Sequence, residues 1–194
     1  MEAVPDMAQV QLGVQTFAET VDSAVAENNR VTGSILSALK REGLVDLDLR
    51  TSAFNVFPQR DYQREGEEQI TGYWANNMVT VTITDIDRTG PLLQTALDAG
   101  ANRSFGLYFG LLDPGPVEQQ ARMLAVEDAR QRANDLAVAA GVTLGRLLAI
   151  NESSFSEGPV YARSEADQGQ AVVPIEPGEL KIEARVEAAY RILD

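Results

Sequence analysis

The stretch FGLYFGLLDPGPVEQQARMLAVEDARQRANDLAVAAGVTLG, residues 105–145, sets the reading of the whole chain. Its opening places Phe105, Leu107, Phe109 and Leu111 in alternation with Gly106, Tyr108 and Gly110, the period of a strand with one apolar face. The glycines leave almost no side chain on the other face, which makes room for a helix or another backbone. Asp113-Pro114-Gly115-Pro116 ends the strand. Both prolines suit a first helical turn, where φ is already right and no backbone N–H is needed. Val117, Ala121, Leu124, Ala125, Ala129, Ala133, Leu136, Ala137 and Ala140 then recur on one helical stripe. Alanine dominates that stripe, so the helix can lie close to whatever it covers. Glu118 to Arg122 and Asp128 to Arg132 are opposite charges four apart, each pair supporting the exposed face by about 0.2–0.5 kcal/mol. Gly141 supplies the left-handed position at the helix end.

N-terminal to this stretch, Val10, Leu12 and Val14 alternate with glutamines and predict a first strand. Val21, Ala24, Val25, Asn28, Val31, Ile35 and Leu39 mark a helix that Lys40, Arg41 and Gly43 close. A second strand runs from about 49 to 57, and Pro58 makes it an edge or a strand end. Residues 61–69 read as a charged hairpin tip. Over 72–85, Val79, Val81 and Ile83 face one way and Thr80, Thr82 and Thr84 the other, giving a strand with one wet face. Asp87 or Thr89 is placed to cap a short helix running to Gly100. C-terminal to the central stretch come a strand near 147–150 and a Ser-, Glu-, Gly- and Gln-rich arm at 153–178. A long final strand alternates Leu180, Ile182, Ala184, Val186, Ala188, Tyr190 and Ile192 with charged residues.

The predicted order is βαββαβ followed by αββ. The first six elements fit a ferredoxin-like split βαβ unit, a mainly antiparallel sheet with helices packed on one face, and the fold class is α+β. Long amphipathic strands leave edges that are either protected or recruit another subunit.

Acidic residues outnumber basic ones by 29 to 16 and the formal net charge is −13. That balance disfavours electrostatic binding to nucleic acid or to an anionic membrane. Lys40 and Lys181 are the lysines and the other basic residues are arginines, a bias that ordered ion pairs or a GC-rich genome would each produce. Cysteine and histidine are absent, which removes disulfides, thiolate nucleophiles, imidazole bases and soft metal ligands. Zero cysteine fits an oxidising compartment without requiring one. No apolar run approaches the roughly 20 residues that cross a bilayer. The opening residues show no basic-then-apolar leader and run almost straight into a strand, which fits removal of upstream sequence.

Several short pieces, in order, resemble the SIMPL-domain family, which includes bacterial YggE-type oxidative stress defence proteins and a periplasmic immunogenic protein. They are Pro5-Asp6-Met7-Ala8, Thr51-Ser52-Ala53-Phe54, Ile70-Thr71-Gly72-Tyr73 and Ala99-Gly100-Ala101-Asn102-Arg103. The phenylalanine-glycine strand ending in Asp113-Pro114 follows, then Ala139-Ala140-Gly141-Val142, Leu144-Gly145-Arg146 and Pro174-Ile175-Glu176-Pro177-Gly178-Glu179. The resemblance spans nearly the whole chain. It implies an exported envelope protein, homo-oligomeric in at least some members and loosely linked to stress resistance, with no catalytic residues to carry over.

Candidate chemistry in the sequence is sparse. Ser37-Ala38-Leu39-Lys40 matches the S-x-x-K of serine enzymes and Arg88-Thr89-Gly90 echoes their K-T-G, but no S-D-N element accompanies them. An ordinary helix surface explains the first as well. Asp46 with Asp48, and Asp85 with Asp87, pair carboxylates as calcium loops do, without the glycine and distal glutamate of an EF-hand. Glu127-Asp128 and the tip residues Glu65, Glu67 and Glu68 read as solvated charge. Trp74, Tyr73, Tyr108 and Tyr161 could stack sugars or peptides, or sit at an edge or interface. Glycine-rich phosphate loops are absent.

The sequence therefore predicts a single SIMPL-like α+β domain over residues 1–194, open to division into two sub-lobes, with an arm at 153–178. It predicts a non-enzymatic, periplasmic or otherwise exported protein acting through homo-oligomeric assembly, with an envelope protein as a further partner. No cofactor, metal, catalytic residue, nucleic-acid partner or integral membrane segment is expected. The competing reading is a monomeric binding module that recruits a partner protein or cationic ligand through its acidic surface. A hydrolase using carboxylates or Ser37 is the third.

Overall fold

A computed structural model describes residues 1–61, 69–160 and 175–193. The fold is α+β with two antiparallel sheets, and the chain divides into two compact units.

The unit built from residues 6–110 holds strands β2 (Met7–Ala18), β3 (Leu49–Asp61), β4 (Gln69–Ile83) and β5 (Arg103–Gly110), with helices α1 (Val21–Arg41) and α2 (Thr89–Asp98). Their order in the chain is the βαββαβ read from the sequence. The sheet order β3-β4-β2-β5, antiparallel throughout, is that of the ferredoxin-like unit. Alternation decides which face is covered. Ala8, Val10, Leu12 and Val14 of β2 join Val79, Val81 and Ile83 of β4 in the core, under Ile35 and Leu39 of α1 and Leu92, Leu93 and Ala96 of α2. Fully burying a side chain such as Leu12 or Leu39 stabilises by roughly 1.5–3 kcal/mol.

Helix α1 starts where Thr20 accepts a hydrogen bond from Ser23 N at 3.2 Å. It ends at Gly43, whose φ of 99° favours glycine. Midway, Asn28 is fully buried, and its Nδ2 donates to the Val14 and Ala75 carbonyls at 2.9 Å each. One amide thereby ties α1 to two central strands. Arg88 joins the two helices at their ends, donating from Nη2 to the Glu42 carbonyl at 2.7 Å.

Two details differ from the sequence reading. Thr89 does not cap α2: it is the first helical residue, fully buried, and the capping position belongs to Arg88, which makes no side-chain cap. The expected wet face of β4 is wet only in part. Thr80 is buried because β4 is an inner strand, with Gln11 and Arg50 directly opposite on its two sides. Pro58 does lie on an outermost strand, where a missing N–H is tolerated.

The second unit comprises residues 1–5, 111–164 and 178–194. It contains strand β1 (Glu2–Ala3), helix α3 (Gly115–Ala139) and strands β6 (Thr143–Val160) and β7 (Glu179–Leu193). The sheet order is β1-β7-β6, so the final αββ builds a sheet of its own instead of widening the first. Strand β6 runs to Val160, well into the stretch read as an arm. Its backbone groups are met by β7, with Phe155 opposite Ala184 and Val160 opposite Glu179, a long-range pairing that local composition does not report. The rest of that stretch lies outside the described residues, except for 175–178, where Ile175 packs against the core of the first unit.

Candidate assembly surface

Helix α3 lies on the apolar face of β7 through small residues. Ala121, Ala125, Ala129, Ala133 and Ala137 repeat at every fourth position and are buried or half-buried, a single i, i+4 ridge. The leucines assigned with them to the covered stripe are outside it: Leu124 is 51% and Leu136 is 71% exposed. A four-residue repeat drifts slowly around a helix of 3.6 residues per turn, so the ridge is narrower than the stripe inferred from one-, three- and four-residue spacings.

One helix does not cover this sheet. A groove of about 600 Å³ runs beside α3, lined by Leu124, Ala125 and Ile182 together with the charged Asp128, Glu183 and Arg185. A second, of about 770 Å³, is lined by Val126, Arg130, Leu144, Leu147 and Tyr190. Among the described residues, the apolar side chains of this unit that are buried are Pro5, Ala121, Ala137, Leu180 and Ile182. Leu124, Leu136, Val138, Leu148 and Ile192 are each more than half exposed. The outer edge of β6 is unpaired among the described residues, and β7 is covered on its other side by β1 at Leu180 and Lys181 and by Met1 at Ile182. The surface thus combines open strand edges with exposed apolar side chains, the two features that favour association.

Charge on this unit is arranged in local pairs. Asp128 bonds Arg132 at 2.8 Å, the expected i, i+4 pair. Arg122, expected to pair with Glu118, reaches Glu152 of β6 at 2.9 Å and so fastens α3 to the sheet. On β7, the Lys181 ammonium hydrogen-bonds Glu183, which holds that carboxyl below its usual range and lifts the lysine above its own.

The groups with catalytic motifs are employed elsewhere. Ser37 is exposed on α1, and Lys40 is ion-paired with Asp46 instead of facing it. Arg88 to Gly90 forms the entry to α2, with Arg88 on Glu42, and is not on a strand. Asp48 accepts a hydrogen bond from Val45 N at 2.9 Å, closing its own turn. Asp85 accepts at its carbonyl from Arg88 N at 3.0 Å. Among the described residues, no three acidic groups gather as metal ligands. Glu65, Glu67, Glu68 and Tyr161 lie outside the described residues. Trp74 stands on the inner strand β4 and donates from Nε1 to Gln59 Oε1 at 2.8 Å. Tyr73 neighbours it, and Tyr108 is on the outermost strand β5.

A ferredoxin-like sheet joined to a helix-and-hairpin unit defines the class as an α+β protein of two antiparallel sheets. Comparison with known proteins makes this specific. Residues 1–190 match the model of the SIMPL family, described as a protein of unknown function (DUF541), and the chain belongs to that family. It is 33% identical to the 26 kDa periplasmic immunogenic protein of Brucella melitensis, over 99% of this chain and 81% of that one. It is 29% identical to the uncharacterized protein YggE of Edwardsiella ictaluri, over 99% and 83%. Against YggE of Escherichia coli K12 the identity is 27%, over 86% and 68%.

Proposed function

We propose that this is a non-enzymatic envelope protein that works as a homo-oligomer, its protomers joined through the α3, β6 and β7 surface. The observation that carries the reading is the imbalance within that unit: few apolar side chains are buried among the described residues, against a larger exposed set on α3, β6 and β7 beside an open edge. A second copy offering the same surface would cover both, as an isologous contact does.

An exported location is supported by the relatives named periplasmic immunogenic proteins. It is also compatible with the described residues, where no helix is long and apolar enough to cross a membrane. A part in oxidative or envelope stress defence would be indirect, because the chain has no cysteine and only four methionines to oxidise. The engagement of Lys40, Asp46 and Arg88 in ion pairs supports the absence of catalysis.

Light scattering across a protein concentration series tests the assembly. A defined multimer is expected, and Leu136→Glu should lower its mass while leaving the circular dichroism unchanged. A monodisperse monomer at high concentration would overturn the reading and favour the monomeric binding module.

A further inference from the structure

The sheet of the first unit has a second face, opposite the helices, and its side chains are ordered in cross-strand rows. Phe17, Trp74 and Phe57 stand side by side on β2, β4 and β3. The Phe17 and Trp74 ring centroids are 5.0 Å apart, and Phe17 and Phe57 are 46% and 43% exposed. The neighbouring row is entirely amide: Gln15, Asn76 and Asn55. On the other flank, Gln59 opposes Gly72 and accepts the Trp74 N–H. Farther along come Gly13, Met78 and Ala53, then Gln11, Thr80 and Arg50. None of these residues is a carboxylate, in a chain of net charge −13.

The aromatic row is fixed by its neighbours, with the Phe17 and Trp74 rings inclined at 51° to each other. A Cβ on Gly72 would meet Phe17 Cζ at 2.3 Å, so the missing side chain is the space that the ring occupies. A Cβ on Gly13 would likewise meet Met78 Sδ at 2.4 Å. Three strands place the aromatic row about 10 Å across, about the length of a disaccharide.

We propose that this face binds a neutral glycan chain, with the apolar faces of its pyranose rings on Phe17, Trp74 and Phe57 and its hydroxyls on the flanking amides. Each sugar hydroxyl is both donor and acceptor, and a side-chain amide offers both on one planar group. Aromatic faces take up the C–H surface of a sugar ring while leaving its rim in water. A nucleic-acid strand would require a basic surface, and this face carries Arg50 and, from β5 opposite Gly13, Arg103, whose guanidinium is already bonded to Gln15 Oε1. A basic peptide would require carboxylates, which these rows lack.

Trp74 is the chain's one tryptophan, so its emission reports on this face alone. The experiment titrates the intact protein with cellotetraose and tetra-N-acetylchitotetraose, with oligothymidylate as a control, while light scattering records its mass. A saturable change in emission with a sugar is expected, weakened about tenfold by Phe57→Ala. Asn55→Ala, on the exposed outer strand, should also weaken it and tests the amide row without touching the aromatic one. Silence towards both sugars overturns the proposal. So does emission that follows protein concentration but no sugar, which would mark the face as covered by a second copy. Stronger quenching by oligothymidylate than by either sugar overturns it too. Because mass and emission are read separately, failure here leaves the assembly reading standing, and the reverse.

Discussion

Asn28 shows what one residue can fix. Its amide sits in the middle of an apolar helix-sheet interface, and both Nδ2 hydrogens are used on strand carbonyls. Removing it leaves those carbonyls to be desolvated without a donor, so Asn28→Ala should destabilise by about 1–3 kcal/mol. Urea denaturation checks this, and an unchanged midpoint would mean that another donor replaces the amide. Glu183 gives a second test at this scale. Its folded value is depressed, first through the Lys181 hydrogen bond and then through charge attraction. The pair therefore contributes above the ordinary carboxylate range and is lost as pH falls through the lowered value. In an NMR titration, Lys181→Gln should move the Glu183 carboxyl back up. The role of Asn28 was only half legible in the sequence: its position on the apolar side of α1 was, but its partners lie on two strands that only the fold brings together.

Among the elements, the glycines separate into those that need space and those that do not. In α1, a Cβ on Gly33 would meet nothing within 4 Å, so Gly33→Ala should stabilise by roughly 0.5–1 kcal/mol through helix propensity alone. On β2, the same substitution at Gly13 would bring Cβ within 2.3 Å of the Asn77 carbonyl oxygen, a backbone atom that cannot step aside. Gly13→Ala should therefore lower the melting temperature while Gly33→Ala raises it, and both falling together would contradict this account. Strands with strict alternation, β2, β4 and β7, were legible because each has one buried face. The far half of β6 was not, since its order comes from pairing with β7. Nor was the aromatic row: Phe17, Phe57 and Trp74 are far apart in sequence and become neighbours only through register. The narrow contact ridge of α3 was visible as alanines at every fourth position, but the leucines beside them carried the eye to a wider stripe.

For the molecule as a whole, among the described residues the first unit buries a large apolar cluster and the second buries few apolar side chains. Stability should be correspondingly uneven. Hydrogen exchange should find β2 and β4 the most protected, with α3 and β6 opening at lower cost. The proposed assembly predicts that raising the protein concentration will increase protection in α3 and β6 selectively, since a second copy would complete their burial. Uniform protection independent of concentration would argue against assembly through this unit.

The pairing of Glu2 with Lys181 and Ala3 with Leu180 also orders events in time. Within the first unit the pairing of β2 with β5 already spans a long stretch of chain, with Met7 opposite Gly110. The second sheet joins residues from opposite ends of the sequence, a closure that pays loop entropy before it gains contacts. The clasp of β1 on β7 should therefore form late, holding together two segments that the chain itself leaves far apart.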